Sequence, residues 1–319
     1  MNNYRFEEIK NKFSDWDILL ANSPQCNIYF NSIFLKNIGR PVKCFLVYKT
    51  NQIVAGVAFT ENKIKRKIEL DDIAIYNGIF FASRDDKRLT GTRVEQFEIT
   101  EFVINELAKS YNKIHLRTHP AFNDIRPFLW HNYENNSKKF LTEVRYTSFL
   151  NIKDINTDSD KILTNMSPIR RQHIRYGKEA GLFIRESKNV DLFMSLYAKL
   201  MDKTENKISK RVKDRLSSLI QILIDNKLAI IYECLDKSNN IKYTSVFSVF
   251  KKKSTYLYGA PGENQKSFDG TFLLWESFKT LNSNYDINEV DLEGVNSPQR
   301  GAFKLSFGGN LTNYYILKF

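Results

Sequence analysis

The sequence contains few cysteines and no long apolar run, and each of these absences excludes a class of protein. Its three cysteines, Cys26, Cys44 and Cys234, are odd in number and widely spaced, which excludes a disulfide framework and a paired-cysteine zinc site. The longest apolar stretch, residues 73–82, has about ten residues, whereas a membrane-spanning helix needs roughly 18. Acidic side chains lie near the N-terminus, where a secretory signal would be apolar. These features predict a cytoplasmic protein with no transmembrane segment and at most peripheral membrane contact.

The motifs of common metal sites and hydrolases are also missing. The four histidines, His115, His119, His131 and His173, share no spacing typical of metal ligands, so no metal site is predicted. The sequence has no Gly-x-Ser-x-Gly nucleophile elbow and no Walker loop, which excludes the usual hydrolase and nucleotidase mechanisms.

The charge balance favours anionic partners. Lysine and arginine number 48 against 36 aspartates and glutamates, which gives a formal net charge of +12. Such a charge attracts nucleotide phosphates, coenzyme A or tRNA. Lysine is twice as frequent as arginine, which is a general enrichment, and no DNA partner is predicted from it.

One pattern of elements occurs twice along the chain. A hairpin, a third strand, a helix and a further strand are predicted over residues 42–117, and the same order is predicted again over residues 228–292. Repeated α/β units indicate a duplicated fold. The polar stretch 153–161 lacks apolar periodicity and is the best linker candidate, which predicts two domains, residues 1–155 and 160–319.

Two local signals add detail to this pattern. The third strand of the first repeat is expected at residues 70–75, with more strand material at 78–82. Ser167 followed by Pro168 predicts the start of a basic helix that ends at Gly181.

The predicted order of elements is the core order of the GNAT acyltransferase fold. The sequence therefore predicts an α/β (α+β) protein of two tandem GNAT-like subdomains, each a mixed sheet flanked by helices. Four motifs support this prediction: residues 256–260 (YLYGA), 270–278 (GTFLLWESF), 290–294 (VDLEG) and 303–309 (FKLSFGG). In this order and spacing they resemble the Fem family of peptidoglycan-bridge aminoacyl transferases.

Two further stretches are similar to that family. The basic helix at residues 169–181 resembles the helix that opens the family's second domain. Residues 201–207 resemble its Thr-x-x-Arg stretch, with Thr204 present and Lys207 in place of the arginine. The similarity covers nearly the whole chain and is fainter in the first half.

The resemblance implies an N-acyltransferase. Members of the family take the acyl group from aminoacyl-tRNA, their single-domain relatives take it from acyl-coenzyme A, and both deliver it to an amine. The implied acceptor is a small-molecule or lipid-linked precursor of the cell envelope, such as an amino sugar or a peptidoglycan peptide. No tightly bound cofactor is implied, because acyl-coenzyme A or aminoacyl-tRNA acts as a co-substrate.

The donor stays open at this point. The long arm that some members use for tRNA has no counterpart here, and the GNAT pyrophosphate signature is missing between Tyr258 and Thr271. The alternative function is a non-catalytic GNAT-like module that binds an anionic ligand or tRNA.

Lys304 and Asp291 are the predicted catalytic residues. The resemblance places Lys304, which lies between Phe303 and a glycine pair, at the reacting end of the site. There its cation would stabilise a developing oxyanion or bind donor phosphate. Asp291 ends a strand near that site and is the candidate base, with proton loss to water or substrate as the alternative. Glu293 stands where relatives often have glycine, and an ordinary surface lysine is the alternative for Lys304.

Donor phosphates are assigned to a helix start and to the basic helix. Gly270 and Thr271 begin a helix whose free N–H groups can bind a phosphate, although an ordinary helix cap explains them equally well. Arg171 and Arg175, together with Arg170, can clamp a diphosphate, and a solvated charged face is the alternative.

The acceptor is assigned to Tyr258, Lys207 and Arg211. Tyr256 and Tyr258 alternate around Leu257, so both are expected on one side of their strand. By analogy Tyr258 lines the acceptor pocket, and Tyr256 is expected to pack under a helix. The resemblance makes Lys207 and Arg211 candidate contacts to a nucleotide-sugar or lipid diphosphate.

Overall fold

The chain forms two compact units. The computed structural model describes residues 4–10, 13–84, 88–203 and 207–319. The first unit comprises Met1–Arg145 with Asn313–Phe319, and the second comprises Tyr146–Thr312. Residues 155 and 160, the predicted domain bounds, both lie in the second unit, and the last seven residues of the chain belong to the first. Within these described segments, no helix combines the length and the apolar character needed to cross a bilayer.

The first unit is a mixed sheet with helices packed on it. Its elements are β1 (Tyr4–Glu8), α1 (Ser14–Ala21), a short 3₁₀ helix (Ile28–Phe30), α2 (Ser32–Asn37), β2 (Val42–Lys49), β3 (Gln52–Asn62), β4 (Lys67–Glu69), β5 (Gly78–Phe81), α3 (Leu89–Ser110), β6 (Lys113–Arg117), α4 (Arg126–Trp130) and, at the end of the chain, β13 (Asn310–Lys318). The strand order is β1-β2-β3-β4-β6-β13, with β5 paired to β3. Only the β4–β6 pair is parallel among these pairings. At helical spacing along α3, Ile99, Val103 and Leu107 are buried in the core with strand residues of this unit.

The second unit has a second mixed sheet. Its elements are β7 (Leu141–Asn151), α5 (Ser159–Asn165), α6 (Pro168–Glu179), β8 (Phe183–Ser187), α7 (Val190–Asp202), α8 (Lys210–Asp225), β9 (Ala229–Leu235), β10 (Ile241–Ser248), β11 (Lys253–Pro261), α9 (Asp269–Tyr285), β12 (Glu289–Asp291) and α10 (Pro298–Leu305). The strand order is β7-β12-β11-β10-β9-β8, and the β11–β12 pair is parallel. Along α9, Leu274, Trp275 and Phe278 are buried in the core of this unit.

The predicted repeat is confirmed in the strand pairing. In each unit an antiparallel hairpin, β2–β3 or β9–β10, precedes a strand that pairs in parallel with the strand after a long helix. The helix is α3 in the first unit and α9 in the second. This arrangement confirms the mixed α/β fold class.

Some predicted elements differ from the structure for local reasons. The strand expected at residues 70–75 is displaced, because β4 occupies Lys67–Glu69 and the chain then turns. The carboxylate of Asp71 accepts a hydrogen bond from the Ile73 N–H at 2.9 Å, a local turn that ends the strand. The predicted linker, residues 153–161, contains the start of α5.

Close packing of α6 on α9 depends on a glycine. A Cβ atom added at Gly177 would lie 2.4 Å from Cδ2 of Phe272, a buried residue of α9. Real side chains do not approach this closely, so only glycine allows the observed distance between the two helices. This contact fixes α6 beside the start of α9, where donor phosphates are predicted to bind.

We expect Gly177→Ala to lower the free energy of unfolding by about 1–3 kcal/mol, because the added methyl group overpacks a buried contact. Gly91→Ala is the matched control, since Gly91 lies in α3 and a Cβ atom there meets nothing within 4 Å. The control is expected to gain up to ~1 kcal/mol from higher helix propensity. Urea denaturation followed by circular dichroism measures both variants, and equal stability for the two would show that α6 and α9 can separate freely.

Candidate functional site

Lys304 lies in the last turn of α10, a helix that the sequence pattern did not predict. Ser297 and Pro298 begin this helix, the same pair of residue types that begins α6. The chain leaves the helix at Gly308, whose φ of +81° belongs to the left-handed region. The pair Gly308 and Gly309 therefore forms a tight turn after the helix, as a glycine pair at this position predicts.

The ammonium of Lys304 is half-buried between a backbone oxygen and an aromatic ring. Its Nζ donates to the carbonyl oxygen of Glu293 at 3.4 Å and lies 5.4 Å from the ring centroid of Tyr256. Burial lowers the pKa of Lys304 below its ordinary value, which outweighs the opposite effect of the Glu293 and Asp291 carboxylates. Lys304 is thus a desolvated cation, not an exposed surface lysine.

Asp291 is buried at the end of β12 and holds the turn that follows. Its Oδ1 accepts hydrogen bonds from the hydroxyl of Thr147 and from the N–H of Glu293, the latter at 2.8 Å. Glu293 has a φ of +59°, a left-handed conformation that glycine adopts more readily than other residues. The structure places Asp291 near Lys304, and its role as a base stays a prediction.

The turn after Glu293 packs directly on α10. A Cβ atom at Gly301 would lie 2.5 Å from the carbonyl oxygen of Val295, so a glycine is needed where the turn meets the helix. Two contacts therefore hold the turn after β12 against α10. One is the close approach of Gly301 to Val295, and the other is the hydrogen bond from Lys304 to Glu293.

The expectation that Tyr256 and Tyr258 face one side of their strand is wrong. Tyr258 pairs with Val246 on β10, but Tyr256 pairs with the next residue, Phe247, so Leu257 is an extra residue in a β-bulge. Neighbouring residues on β10 point to opposite faces of the sheet, and their partners therefore do so as well. The bulge depends on the partner strand and leaves no signal in the alternation of the sequence.

The two tyrosines consequently have different surroundings. Tyr256 is buried, with its ring 5.3 Å from that of Phe247, as its predicted packing role requires. Tyr258 is half-buried, and its ring makes an edge contact with Tyr197 at 5.5 Å. Burial raises the pKa of Tyr197 to about 12, so this phenol stays protonated at neutral pH.

Tyr256 also belongs to a hydrogen-bonded tyrosine pair. Its side chain bonds to that of Tyr243, and burial raises the pKa of both phenols. The Tyr256 hydroxyl occupies the space above Gly259, where a Cβ atom would lie 2.0 Å away. The ring of Tyr243 lies beside Gly270, 3.0 Å from the position of a Cβ atom there. The pair therefore extends from Lys304 to the start of α9.

Gly270 and Thr271 are the second and third residues of α9, and both are buried. The hydroxyl of Thr271 accepts a hydrogen bond from Nη1 of Arg170 at 2.5 Å, and Nδ1 of His173 lies 3.4 Å from the same oxygen. Burial and the neighbouring Arg170 charge lower the pKa of His173, which favours the neutral ring. The helix start is thus in contact with the basic helix α6.

Arg170, rather than Arg171 or Arg175, reaches this helix start. Its guanidinium carbon lies 4.7 Å from the ring centroid of Phe303, and its Nε is buried without a hydrogen-bond partner. Arg171 and Arg175 are exposed and line an open depression of about 570 Å³ together with other residues of α6. The structure does not bring these two arginines to Thr271.

A sequence signal could have identified Arg170. Positions 173, 174 and 177 form the buried face of α6, and residue 170 completes this face at the spacing i, i+3, i+4 and i+7. Arg171 and Arg175 lie off this face. Composition alone treats the three arginines alike, whereas helical periodicity separates them.

The remaining acceptor candidates lie on the surface. Lys207 is exposed in a segment without regular structure, and Arg211 is exposed in the first turn of α8. Thr204, which belongs to the same motif, lies outside the described residues. Among the residues that the structure describes, no cluster of three or more potential metal ligands occurs.

Three solved structures share this architecture over almost the whole chain. The crystal structure of FemX matches with a TM-score of 0.67 at 12% identity, over 97% of this chain and 96% of that one. L-PGS from Bacillus licheniformis matches at 0.58 and 10% identity, over 98% and 92%. A tandem GNAT protein from the clavulanic acid biosynthesis pathway matches at 0.54 and 9% identity, over 99% and 98%. No protein-family model and no curated protein matches the sequence.

These similarities concern the backbone, because the sequence identities are low. They agree with the duplicated hairpin, strand, helix and parallel strand seen in the two units. The chain has the Fem-like tandem GNAT fold.

Proposed function

We propose that the chain is an N-acyltransferase that moves an acyl or aminoacyl group to an amine of a cell-envelope precursor, an amino sugar or a peptidoglycan peptide. The donor is acyl-coenzyme A or aminoacyl-tRNA. The observation that carries this proposal is the desolvated ammonium of Lys304, held over Tyr256 by the turn at Glu293. A cation that is partly withdrawn from water suits a reaction in which negative charge develops on a carbonyl oxygen.

The chemistry assigns one task to Lys304. The acceptor nitrogen attacks the carbonyl carbon of the ester or thioester, and the carbonyl electrons move to oxygen. When the tetrahedral intermediate collapses, the bond to the leaving oxygen or sulfur breaks, and the proton lost by the amine ends on that leaving group or in water. The Lys304 ammonium donates a hydrogen bond to the oxyanion, an interaction that strengthens as the charge forms.

The donor end of the site is assigned to the start of α9 and to Arg170. The N–H groups of a helix start attract phosphate, and Arg170 adds a permanent charge that Thr271 orients. Tyr258 is the acceptor contact on the other face of β11, and Lys207 and Arg211 are surface contacts for an acceptor diphosphate. The exposed Arg171 and Arg175 are available only to the outer part of a large donor.

Mass spectrometry of the product tests the proposal most directly. The protein is incubated with an amine acceptor panel and either acyl-coenzyme A or aminoacyl-tRNA, and the amide product is measured. An amide product with one of the two donors would support the acyltransferase function and would identify the class of donor. Tight binding of a donor with no product from any acceptor would favour the non-catalytic module instead.

Lys304→Met tests the role of the ammonium. We expect kcat to fall on the order of 10²-fold, about 3 kcal/mol, with the fold retained, because the variant keeps the apolar stem and loses the hydrogen-bond donor. Lys178→Met is the matched control, since Lys178 also lies in the last turn of a helix but is exposed. An unchanged kcat in Lys304→Met would refute the proposed role.

The pH dependence gives an independent check on Lys304. Burial lowers its pKa, so a rate that needs the ammonium is lost as the pH rises through a value below the ordinary lysine pKa. In Lys304→Arg the loss of rate at alkaline pH should disappear, because a guanidinium stays protonated. The kcat of this variant should nevertheless be lower than that of the wild type, because the planar guanidinium cannot occupy the position of the ammonium. The same decline in both proteins would assign it to another group.

Arg170→Met separates the buried arginine from the exposed ones. We expect the donor KM to rise about 10- to 100-fold, with kcat nearly unchanged, because a hydrogen bond to a charged group contributes about 1.5–3 kcal/mol. Arg171→Met is the neighbouring control and should change the donor KM by no more than about fivefold, because an exposed, screened charge contributes about 0–1 kcal/mol. A larger rise of the donor KM in Arg171→Met than in Arg170→Met would instead indicate that the donor binds on the exposed face of α6.

A further inference from the structure

An exposed apolar surface lies on α3 and α4 of the first unit. We call it the α3–α4 surface and define it by Val94, Phe97, Leu129, Trp130 and Tyr133. The exposed fractions are 59% for Val94, 45% for Leu129, 53% for Trp130 and 70% for Tyr133. Single exposed apolar residues are ordinary, but a connected group of them marks an interaction site.

A ring contact and a shared cation join α3 to α4 within this surface. The rings of Phe97 and Trp130 lie 5.4 Å apart, and the guanidinium carbon of Arg126 lies 5.4 Å from each ring centroid. The N–H of Tyr133 donates to the carbonyl oxygen of Trp130 at 3.0 Å, in the turn that follows α4. Val94 precedes Phe97 by one turn of α3, so both lie on the same face of the helix.

The exposed charged residues of α3 and of residues 124–139 are mostly basic. The exposed basic residues are Arg93, Lys109, Arg126, Lys138 and Lys139, and the exposed acidic residues are Glu101 and Glu134. Glu95 is buried, and Glu98, Glu106 and Asp124 are half-buried. The carboxylate of Asp124 is paired with Arg126 at 2.6 Å, and the Arg93 charge further lowers the pKa of this carboxyl. Lys139 lies 5.7 Å from the ring centroid of Tyr133, so the cation sits at the aromatic edge of the surface.

We propose that the α3–α4 surface docks on a lipid bilayer that contains anionic headgroups. Trp130 and Tyr133 are the residue types that prefer the boundary between headgroups and acyl chains. Val94 and Leu129 add aliphatic area, and the lysines are attracted to anionic lipids. A single-stranded nucleic acid would use aromatic and basic groups in a similar way, but the exposed aliphatic side chains cannot stack on bases.

This docking goes beyond the proposed function and does not depend on it. Acyl transfer is argued from residues of the second unit, whereas the α3–α4 surface belongs entirely to the first. A bilayer contact would concentrate the protein on a membrane that holds lipid-linked acceptors. The tests below contain no catalytic step, so their failure would leave the acyltransferase proposal unchanged.

Tryptophan fluorescence reports on this surface selectively. The chain has three tryptophans, and Trp16 and Trp275 are 0% and 2% exposed, so only Trp130 is open to solvent. We expect a blue shift of the emission with phosphatidylcholine vesicles that contain phosphatidylglycerol, and additional quenching when the acyl chains are brominated. Raising the salt concentration should weaken the response, because it screens the lysines. No shift with these vesicles would overturn the proposal.

Variants then test the residues themselves by vesicle co-sedimentation. Leu129→Ala combined with Trp130→Ala should reduce vesicle binding on the order of tenfold or more. The variant lacks two large apolar side chains whose transfer from water to the bilayer would favour binding. Ile64→Ala is the matched control, since Ile64 is 97% exposed and lies outside the α3–α4 surface. Equal binding by both variants, or an emission shift with single-stranded RNA and none with vesicles, would contradict bilayer docking.

Discussion

The buried carboxylate of Asp291 fixes the turn on which the candidate site depends. It accepts hydrogen bonds from the Thr147 hydroxyl and from the Glu293 N–H, and the left-handed conformation of Glu293 follows from this second bond. A left-handed conformation costs about 1 kcal/mol or more for a residue other than glycine, and the bonds to the buried carboxylate offset that cost. The carbonyl oxygen of Glu293 is thereby directed at the ammonium of Lys304. Loss of the Asp291 carboxylate would therefore move the cation even if the sheet stayed intact.

The two half-buried cations of the second unit, Lys304 and Arg170, have different physical properties. Lys304 has a pKa that burial lowers and that two nearby carboxylates raise. Arg170 remains charged in any such environment, since a guanidinium does not lose its proton in proteins. A permanent charge suits the binding of a phosphate, whereas an ammonium that donates a hydrogen bond suits negative charge that develops on an oxygen during a reaction. This difference supports the separate donor and reaction roles that the proposed function gives them.

The parts of the fold that depend on local pattern could be predicted from the sequence. Both hairpins, the long helices and the duplicated order follow from alternation, helical periodicity and turn residues. The bulge at Leu257 could not, because it is defined by the register against β10 rather than by β11 alone. The helix that carries Lys304 had a usable signal, since Ser297 and Pro298 repeat the start of α6, but the helix is only eight residues long. The partners of Asp291 could not be predicted either, since Thr147 is 144 residues away in sequence.

Glycine positions decide where the aromatic side chains of the site can lie. Gly259 leaves room for the Tyr256 hydroxyl, and Gly270 leaves room for the ring of Tyr243 at the start of α9. Gly270 therefore has a packing role that is sufficient to explain it without a bound phosphate. The same helix start already receives the Arg170 guanidinium through Thr271. The start of α9 is therefore bordered by the Tyr243 ring at Gly270 and by the Arg170 guanidinium at Thr271.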